Sequence, residues 1–455
     1  MIVPFVEALR AEVAKTPWIV AVDAAAFGCR MARSLLDLGA PDVLVVACTP
    51  GAGELDPTIR TVYTADVRAE GMMQGLRAAE AALDTLSDDV VAAIDAWDPE
   101  RRARAWRAFF STGGPVAGRP TFGARPAAWQ ALEDKTVIDA VLEAAGLQVA
   151  PWRVVPVERD AVQAAREALD RGDGVVLAGD TRAGFNGGAS YVRWCVTDAE
   201  LDEALTFFAR DCDRLRVMPF LEGLPCSIHA FVMDDGVAVF RPCEMLVFRE
   251  GRTFRYAAAA SSWECPEPAR SAMRSAVRRV AEHLSSTLGY RGMFTLDGVL
   301  TVDGFLPTEL NPRVGAAFAM LVDGMGLDHQ TLHFAAIAGV PLGGTPQELE
   351  DAVLAWSADH RAGRAGLVVP TRPTEQVVLH LADRDGVLVD VTPEDAGLVA
   401  TFGTATAGGY LNVRCTPEAL PVGPPLAPLM AGWLRTIGAR LGIDLGDLRA
   451  AQPPG

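Results

Sequence analysis

Lysine is nearly missing from this sequence. Only Lys15 and Lys135 occur, so 39 of the 41 basic residues are arginine. With the load of alanine and glycine, that skew points to a GC-rich coding sequence and makes each remaining lysine a residue to account for. Positive charge as a whole is also short: 41 Lys and Arg face 58 Asp and Glu, a net −17. A long-range field attracting nucleic acid or an anionic membrane is therefore absent, and any anionic ligand has to be held by a local cluster. No apolar run reaches the length of a membrane span, and the N-terminal MIVPFVEALRAEVAK carries Glu7 early, with no small-residue cleavage site after an apolar stretch. A cytoplasmic protein with no nucleic-acid and no membrane partner is expected. The eight cysteines form no C-x-x-C pair, which leaves no zinc or disulfide scaffold and reads as buried small hydrophobes. A dinucleotide fingerprint is missing too: the turn after the first apolar run is Ala24-Ala25-Ala26-Phe27-Gly28 rather than G-x-G-x-x-G, so a nicotinamide dehydrogenase loses its main support.

What is present fits several domains. A chain of 455 residues, half of them hydrophobic, is long enough for two to four cores. Residues 18 to 48 alternate apolar run, amphipathic stretch and apolar run, the rhythm of a parallel sheet. A helix is expected over 70–86 and a strand over 88–94. Pro115, Gly118, Pro120, Gly123 and Pro126 then mark a linker. From 130 the pattern predicts a helix (LEDKTVIDAVLEAAG), a strand (WRVVPV), a helix over 159–171 and a strand (GVVLAG) that runs into a glycine-rich loop over 180–190. Apolar strands follow one another between 214 and 248, implying an antiparallel sheet. A helix over 267–287 precedes the hairpin FTLDGVLTVDGFLPTELNPR, and a mixed α/β tail closes the chain, with strands over 375–392 and a helix over 425–442. No internal repeat occurs.

The hairpin is the richest constellation. With Val302-Asp303-Gly304 as a three-residue loop, Asp297 lies opposite Glu309, and Glu309 shares a face with Asn311 by the two-residue period. Facing carboxylates repel unless a cation lies between them, and hard oxygen donors of this kind suit Mg²⁺ (or Mn²⁺), which is commonly shared with substrate phosphates. Arg313 would add a fixed positive fork on the same face. The plainer alternative is a solvated hairpin with its polar residues outward. In the loop, the glycines at 184, 187 and 188 free consecutive backbone N–H groups to wrap a phosphate, although a surface loop between strands has the same look. Lys135 could reach the same phosphate or simply lie on a helix surface.

The order of these parts resembles the ATP-grasp superfamily of carboxylate-amine ligases over roughly 125–340. The specific elements are Glu133-Asp134-Lys135, the glycine-rich loop, Val217-Met218-Pro219-Phe220-Leu221-Glu222-Gly223, and the spacing from Asp297 to Glu309, Asn311 and Arg313. The run EGLPCSIHAFV and the overall length are similar to the actinobacterial peptide ligases of the pheganomycin type. The resemblance implies an α/β architecture, α+β in part. Its domains would be a preceding open α/β domain (1–125), an ATP-grasp small subdomain (126–215) and large subdomain (216–340) clamping ATP, and a C-terminal mixed α/β extension (341–455).

Carried over by position, Asp297, Glu309 and Asn311 would hold the metal and Arg313 would steady an acyl phosphate. Lys135, Gly184, Phe185, Asn186, Gly187 and Gly188 would hold phosphates, and Met218, Phe220, Leu221 and Glu222 would meet the adenine. One departure stands out: the strand before the loop often carries a lysine in this superfamily, and here it has Ala178. Either Arg182 or Arg241 supplies the charge, or phosphate transfer is weaker than the resemblance implies.

The implied chemistry activates a small carboxylic acid or amino acid with ATP and passes the acyl group to an amine or peptide. The acyl phosphate hydrolyses readily, so water has to be kept out, and the 180–190 loop is expected to close over ATP. Arg241 and Glu244 are further catalytic candidates, as an ion pair on a strand crossing the cleft. His229, alternating with apolar neighbours, reads first as a core histidine. His329 and His333 are four apart, but Gln330 stands where a zinc protease has its glutamate. A nucleotide-binding protein that does not ligate is the alternative that Ala178 favours. A homodimer is left open.

Overall fold

The structure, a computed structural model, describes residues 2–64, 67–69, 71–107, 113–182, 184 and 186–451. The first sheet holds β1 (Trp18–Ala24), β2 (Val43–Thr49), β3 (Arg60–Tyr63) and β4 (Arg104–Arg107), all parallel in the order β3-β2-β1-β4. The period of two divides β1 between two cores. Trp18, Val20 and Val22 face the helix Ala25–Asp37, while Ile19 and Ala21 face Ala79, Leu83, Val90 and Ile94 of two further helices. Gly28 explains the turn that lacks a dinucleotide fingerprint. A Cβ there would stand 2.7 Å from Val45 and 2.8 Å from Val22, so the glycine serves close helix-to-sheet packing.

Two expectations for this region are corrected. The strand expected over 88–94 is the helix Asp88–Trp97, which buries Val90 and Ile94 one turn apart behind two acidic residues in its first turn. The Pro/Gly segment is tied down rather than a loose linker: Arg119 is fully buried on Asp98 and Asp95, and Thr121 bridges to Ala105.

The second sheet is antiparallel, with β5 (Arg153–Pro156), β6 (Val175–Gly179), β7 (Val192–Cys195) and β8 (Arg214–Pro219) in the order β5-β8-β6-β7. Val175, Leu177, Leu215 and Val217 bury one face against the helices Arg159–Leu169 and Asp198–Phe208. The latter helix opens with a reciprocal capping box between Thr197 and Glu200. Lys135 does not sit on a helix as expected. Asp134 turns extended after a short 3-10 turn, its carboxylate accepts from Thr136 N, and the helix resumes only at Ile138–Ala144.

The third sheet has twelve strands. They are β9 (Leu224–Met233), β10 (Gly236–Val239), β11 (Cys243–Glu250), β12 (Thr253–Ala260), β13 (Gly292–Thr301), β14 (Gly304–Asn311), β15 (Gly363–Val369), β16 (Val377–Arg384), β17 (Val387–Asp390), β18 (Leu398–Ala405), β19 (Gly408–Cys415) and β20 (Arg449–Ala450). The main order is β14-β13-β9-β11-β12-β15-β19-β18-β16-β17, with β10 on β9 and β20 on β11. The helix Glu267–Leu288 covers the β9/β13/β14 end through Met273, Val277, Val280 and Leu284, spaced on one face. The helix Ala427–Leu441 covers the far end through Met430, Leu434 and Ile437. The first sheet docks on that far end: Gly53 N donates to Gln376 Oε1 at 2.6 Å, Ala69 N donates to Thr406 O at 3.1 Å, and Gly403 has no room for a Cβ beside Ala52.

Candidate active site

The hairpin β13–β14 brings the acidic residues together by a different route from the expected one. Its turn is two residues, Val302-Asp303, with Thr301 opposite Gly304, and this register alone would place Asp297 opposite Thr308. A bulge between Asp297 and Gly298 adds one residue on β14 and restores Asp297 opposite Glu309, with Thr295 opposite Asn311. On its other side Asp297 faces Ser227 of β9, so Asp297 lies on an interior strand while Glu309 lies on β14 at the sheet edge.

Polar groups link the cluster. Asn311 Nδ2 donates to Asp297 Oδ2 at 2.8 Å, Arg313 Nη2 donates to Asn311 Oδ1 at 2.9 Å, and Lys135 Nζ pairs with Glu309 Oε2 at 2.6 Å. Behind Arg313 stands Glu133, 3.5 Å away and itself paired with Arg125 at 2.5 Å. Lys135 is only 4% exposed. The two carboxylates respond oppositely. Burial, then the facing Glu309, pushes Asp297 well above the usual carboxylate range. At Glu309 burial pulls the same way, but Lys135 and Arg313 outweigh it and hold the group below its ordinary value. Glu309 is therefore the better compensated of the two, and Asp297, although Arg313, Lys135 and Asn311 also act on it, stays raised, so the pair favours a further cation. Asp297, Glu309 and the Asn311 amide oxygen offer hard donors, and Mg²⁺ accepts few protein ligands when water and phosphates complete its shell. The residues fit the ion. Among the described residues no cluster of three His, Cys, Asp or Glu forms.

A cation that the sequence reading missed lies beside this cluster. Ala178 of β6 is directly opposite Arg216 of β8. Arg216 is 4% exposed and donates to Thr308 O at 2.8 Å and to Asp139 Oδ2 at 3.4 Å, while its buried Nε has no hydrogen-bond partner among the described residues. Burial pushes Asp139 up and Arg216 offsets part of that shift. The charge missing at 178 is thus present one strand away. The available signal was an arginine inside the apolar run LRVMPF. The two residues expected to replace it are elsewhere: Arg182 pairs with Asp213 at 2.9 Å, and Arg241 with Glu264 at 3.1 Å.

Arg241 and Glu244 do not form the expected pair. Arg241 also donates to Ser357 O, whereas Glu244 is fully buried and accepts from Leu426 N at 2.5 Å and Ala427 N at 3.0 Å, capping the helix Ala427–Leu441. The expected ion pair is thus corrected: each residue has partners of its own elsewhere. His229 is a core histidine, hydrogen-bonded to Thr295 at 2.8 Å and pushed down to about 3 by burial. His333 Nδ1 accepts from Met293 N at 2.9 Å and is likewise pushed down by burial to about 3.

The glycine-rich loop joins β6 to β7. Its N–H groups are not all turned outward as expected: Gly184 N donates to Thr181 O at 2.8 Å and Gly187 N to Met73 Sδ at 3.3 Å. Asn186 Nδ2 donates to Asp180 O, and Arg77 reaches across to Gly184 O and the Asn186 amide, so the loop rests on the helix Met72–Asp84. A Cβ on Gly188 would strike Met72. Phe185 lies outside the described residues. The hinge 220–223 links β8 of the second sheet to β9 of the third. Met218 is buried opposite Val176, Phe220 N donates to Gly174 O, and the Phe220 ring stacks on Trp194 at 4.2 Å. Leu221 is half-buried, and Glu222 is exposed and held by Arg249 at 2.6 Å.

No family model matches the chain. A curated relative, D-alanine–D-alanine ligase from Frankia casuarinae, is 26% identical over 231 residues, which is 46% of this chain and 58% of that protein. The chain thus spans under two thirds of its curated relative. Biotin carboxylase from Campylobacter jejuni, solved as a β,γ-ATP complex, superposes with a TM-score of 0.55 at 13% identity, over 90% of each chain. The biotin carboxylase domain of Hydrogenobacter thermophilus 2-oxoglutarate carboxylase, a dimer solved with MgADP, ADP and bicarbonate, gives 0.51 at 14% identity over 88% of this chain and 86% of its own. The chain has the ATP-grasp fold, as the resemblance implied.

Proposed function

We propose that this protein is an ATP-dependent ligase. It activates a small carboxylic acid or amino acid as an acyl phosphate, and an amine then displaces phosphate to give an amide, releasing ADP. A peptide amine, as in the pheganomycin-type ligases, is the narrower form of the proposal, and the cytoplasm its place of action. The observation that carries the reading is the convergence of half-buried Asp297, Glu309 and Arg313 with buried Asn311, Lys135 and Arg216, from three separate chain segments, in one cluster. The name of the Frankia relative and the nucleotides bound in the structural neighbours support it.

Mg²⁺ held by Asp297, Glu309 and Asn311 would supply charge neutralisation across the transferring phosphoryl group. Arg313, fixed from behind by Glu133, offers its fork where the acyl phosphate oxygens would collect charge. Lys135 can exchange Glu309 for a phosphate oxygen by rotation of its stem. Arg216 presents a desolvated cation opposite the bare Ala178, and electrostatic preorganisation of this kind strengthens where water is excluded. Arg216, opposite Ala178, supports the ligase reading over the non-ligating nucleotide binder that Ala178 favoured. An ADP-release assay over pooled acids and amines tests the reading. Turnover in the wild type and none in Glu309→Ala, with the variant still folded, is the expected result. No ADP above the Glu309→Ala background for any pair would overturn it.

A further inference from the structure

Many arginines of this acidic chain have carboxylate partners, whether buried or exposed: Arg104 has Glu12, Arg119 has Asp95 and Asp98, and Arg274 and Arg278 share Glu350. Three arginines away from the hairpin depart from this. Arg364 of β15 and Arg414 of β19 are direct cross-strand partners. Like charges at opposed positions destabilise a sheet. Arg30, on the helix Ala25–Asp37 of the first sheet, brings a third charge within electrostatic reach of both. Among the described residues none of the three side chains makes a hydrogen bond or an ion pair; the Arg30 guanidinium lies over the Phe27 ring, 5.7 Å from its centre.

The alternation of the strands fixes which way this group faces. Leu411 and Val413 of β19, with Ala365 and Leu367 of β15, enter the core under the helix Ala427–Leu441. Tyr410, Asn412 and Arg414, opposite Val368, Gly366 and Arg364, therefore occupy the other face. Gly366 is bare because the Tyr410 hydroxyl lies where its Cβ would be. Arg30 and Arg414 keep surface open to solvent, yet burial lowers the Arg30 guanidinium below its usual range, with Arg364 and Arg414 adding to the shift. Acidic neighbours are few: Asp323 is in reach of Arg30, and Asp23 of Tyr410. Half-buried Tyr256 is within electrostatic reach of Asp297 and Arg313 and also of Arg364 and Tyr410, which links these arginines to the hairpin.

We propose that Arg30, Arg364 and Arg414 bind an oxyanionic group, a carboxylate or a phosphate, carried by the acid substrate at the end remote from the carboxylate that is activated. Guanidinium forks match both groups in bidentate geometry. Two of the forks come from one rigid sheet and the third from the docked first sheet, so the site reads a fixed distance from the hairpin. That an oxyanion binds here stands without the ligase reading; that it belongs to the substrate rests on it.

The test is calorimetric titration of the full chain with inorganic phosphate, and separately with succinate, at low ionic strength and with ADP and Mg²⁺ saturating so that nucleotide sites are filled. At least one anion binds, and Arg414→Gln and Arg30→Gln each weaken it about tenfold or more, the worth of a charge-assisted hydrogen bond. Arg10→Gln on the first helix leaves binding unchanged. Without anion, Arg414→Gln melts no lower than wild type, because it relieves a like-charge pair. Binding of phosphate alone assigns a phosphate monoester, binding of succinate alone a second carboxylate, and binding of both an oxyanion of either kind. Failure of both to bind, or binding that survives both substitutions, overturns the site. In the ADP-release assay Arg414→Gln raises KM for the productive acid about tenfold with kcat kept. Turnover whose KM ignores Arg414 sinks the substrate assignment and spares the ligase. Triad-dependent anion binding with no turnover for any acid spares the anion site and sinks the ligase.

Discussion

Replacing Arg216 probes whether a cation displaced by one strand performs the work of the one missing at 178. Arg216→Ala should cut ADP release by on the order of a hundred- to a thousandfold, about 3–4 kcal/mol, the usual cost of losing a preorganised charge aimed at a developing anion. The same change leaves Asp139 buried without its cation, 3.4 Å from where the guanidinium stood. Orphaning a buried partner costs about 3–5 kcal/mol of stability, so lost turnover alone would not separate catalysis from folding. Two further variants do. Asp139→Asn in the Arg216→Ala background removes the orphaned charge and should recover most of the melting temperature without recovering turnover. Ala178→Lys in the same background puts an ammonium back on the directly opposed residue, whose Cβ is about 5 Å away, and should restore turnover by about tenfold or more. Steady-state ADP release and thermal unfolding on the four proteins decide it. Turnover within about threefold of wild type in folded Arg216→Ala, or no recovery of turnover in a folded variant that combines Arg216→Ala with Ala178→Lys, refutes the assignment.

Arg313→Ala should lower product formation about a hundredfold while ATP binding, measured by equilibrium titration, changes little, since its fork sits on Asn311 and Glu133 beside the reacting centre; equal losses in both would contradict this placement. Glu244 titrates in a different way, because burial pushes it up to about 7 in spite of two backbone donors. A carboxyl raised in the folded state contributes fully below its unfolded value and loses that contribution as pH rises to its folded value. Glu244→Gln, which fixes the uncharged form, should therefore gain on wild type by about 3 kcal/mol between pH 4.5 and 7 in chemical denaturation, and a pH-independent difference would rule it out.

Much of the fold could be read because period and spacing are local. The alternation in the hairpin, the apolar run of β1 and the one-sided helix Glu267–Leu288 each follow from residue types a few positions apart. Short apolar runs were the weak point: DDVVAAIDAW reads as strand or helix until its burial at Val90 and Ile94 is known. The Asp297–Glu309 pairing was anticipated from a three-residue loop, whereas a tighter turn and a bulge produce it together, and neither is visible in residue types alone. Arg216 and the three arginines at the domain junction were out of reach for another reason. Their meaning comes from partners far away in the chain, and the FRPCEM segment shows the converse error: two charges close in sequence were paired with each other, although Glu264 and the 426–427 amides claim them in space.

The two lysines bear on how the site operates. In a chain that places arginine at 39 of 41 basic positions, one lysine is solvent-facing beside Glu12, where either cation would serve, and the other is nearly fully buried on Glu309. An arginine at 135 could pair with Glu309 just as well through two parallel bonds, so pairing alone does not explain the lysine. What differs is exchange. A compact ammonium on a four-carbon stem can leave one oxygen and meet another by rotation, whereas a bidentate fork has to break two bonds and find a second planar partner. Glu309 is also the proposed metal donor, so binding of nucleotide with its ion requires that the cation now on Glu309 move aside without leaving the cluster. Lys135→Arg keeps charge and burial but should trap Glu309, weakening Mg²⁺-dependent nucleotide binding while raising stability without ligand. A variant that binds nucleotide and metal as wild type does would show that the lysine serves charge balance alone.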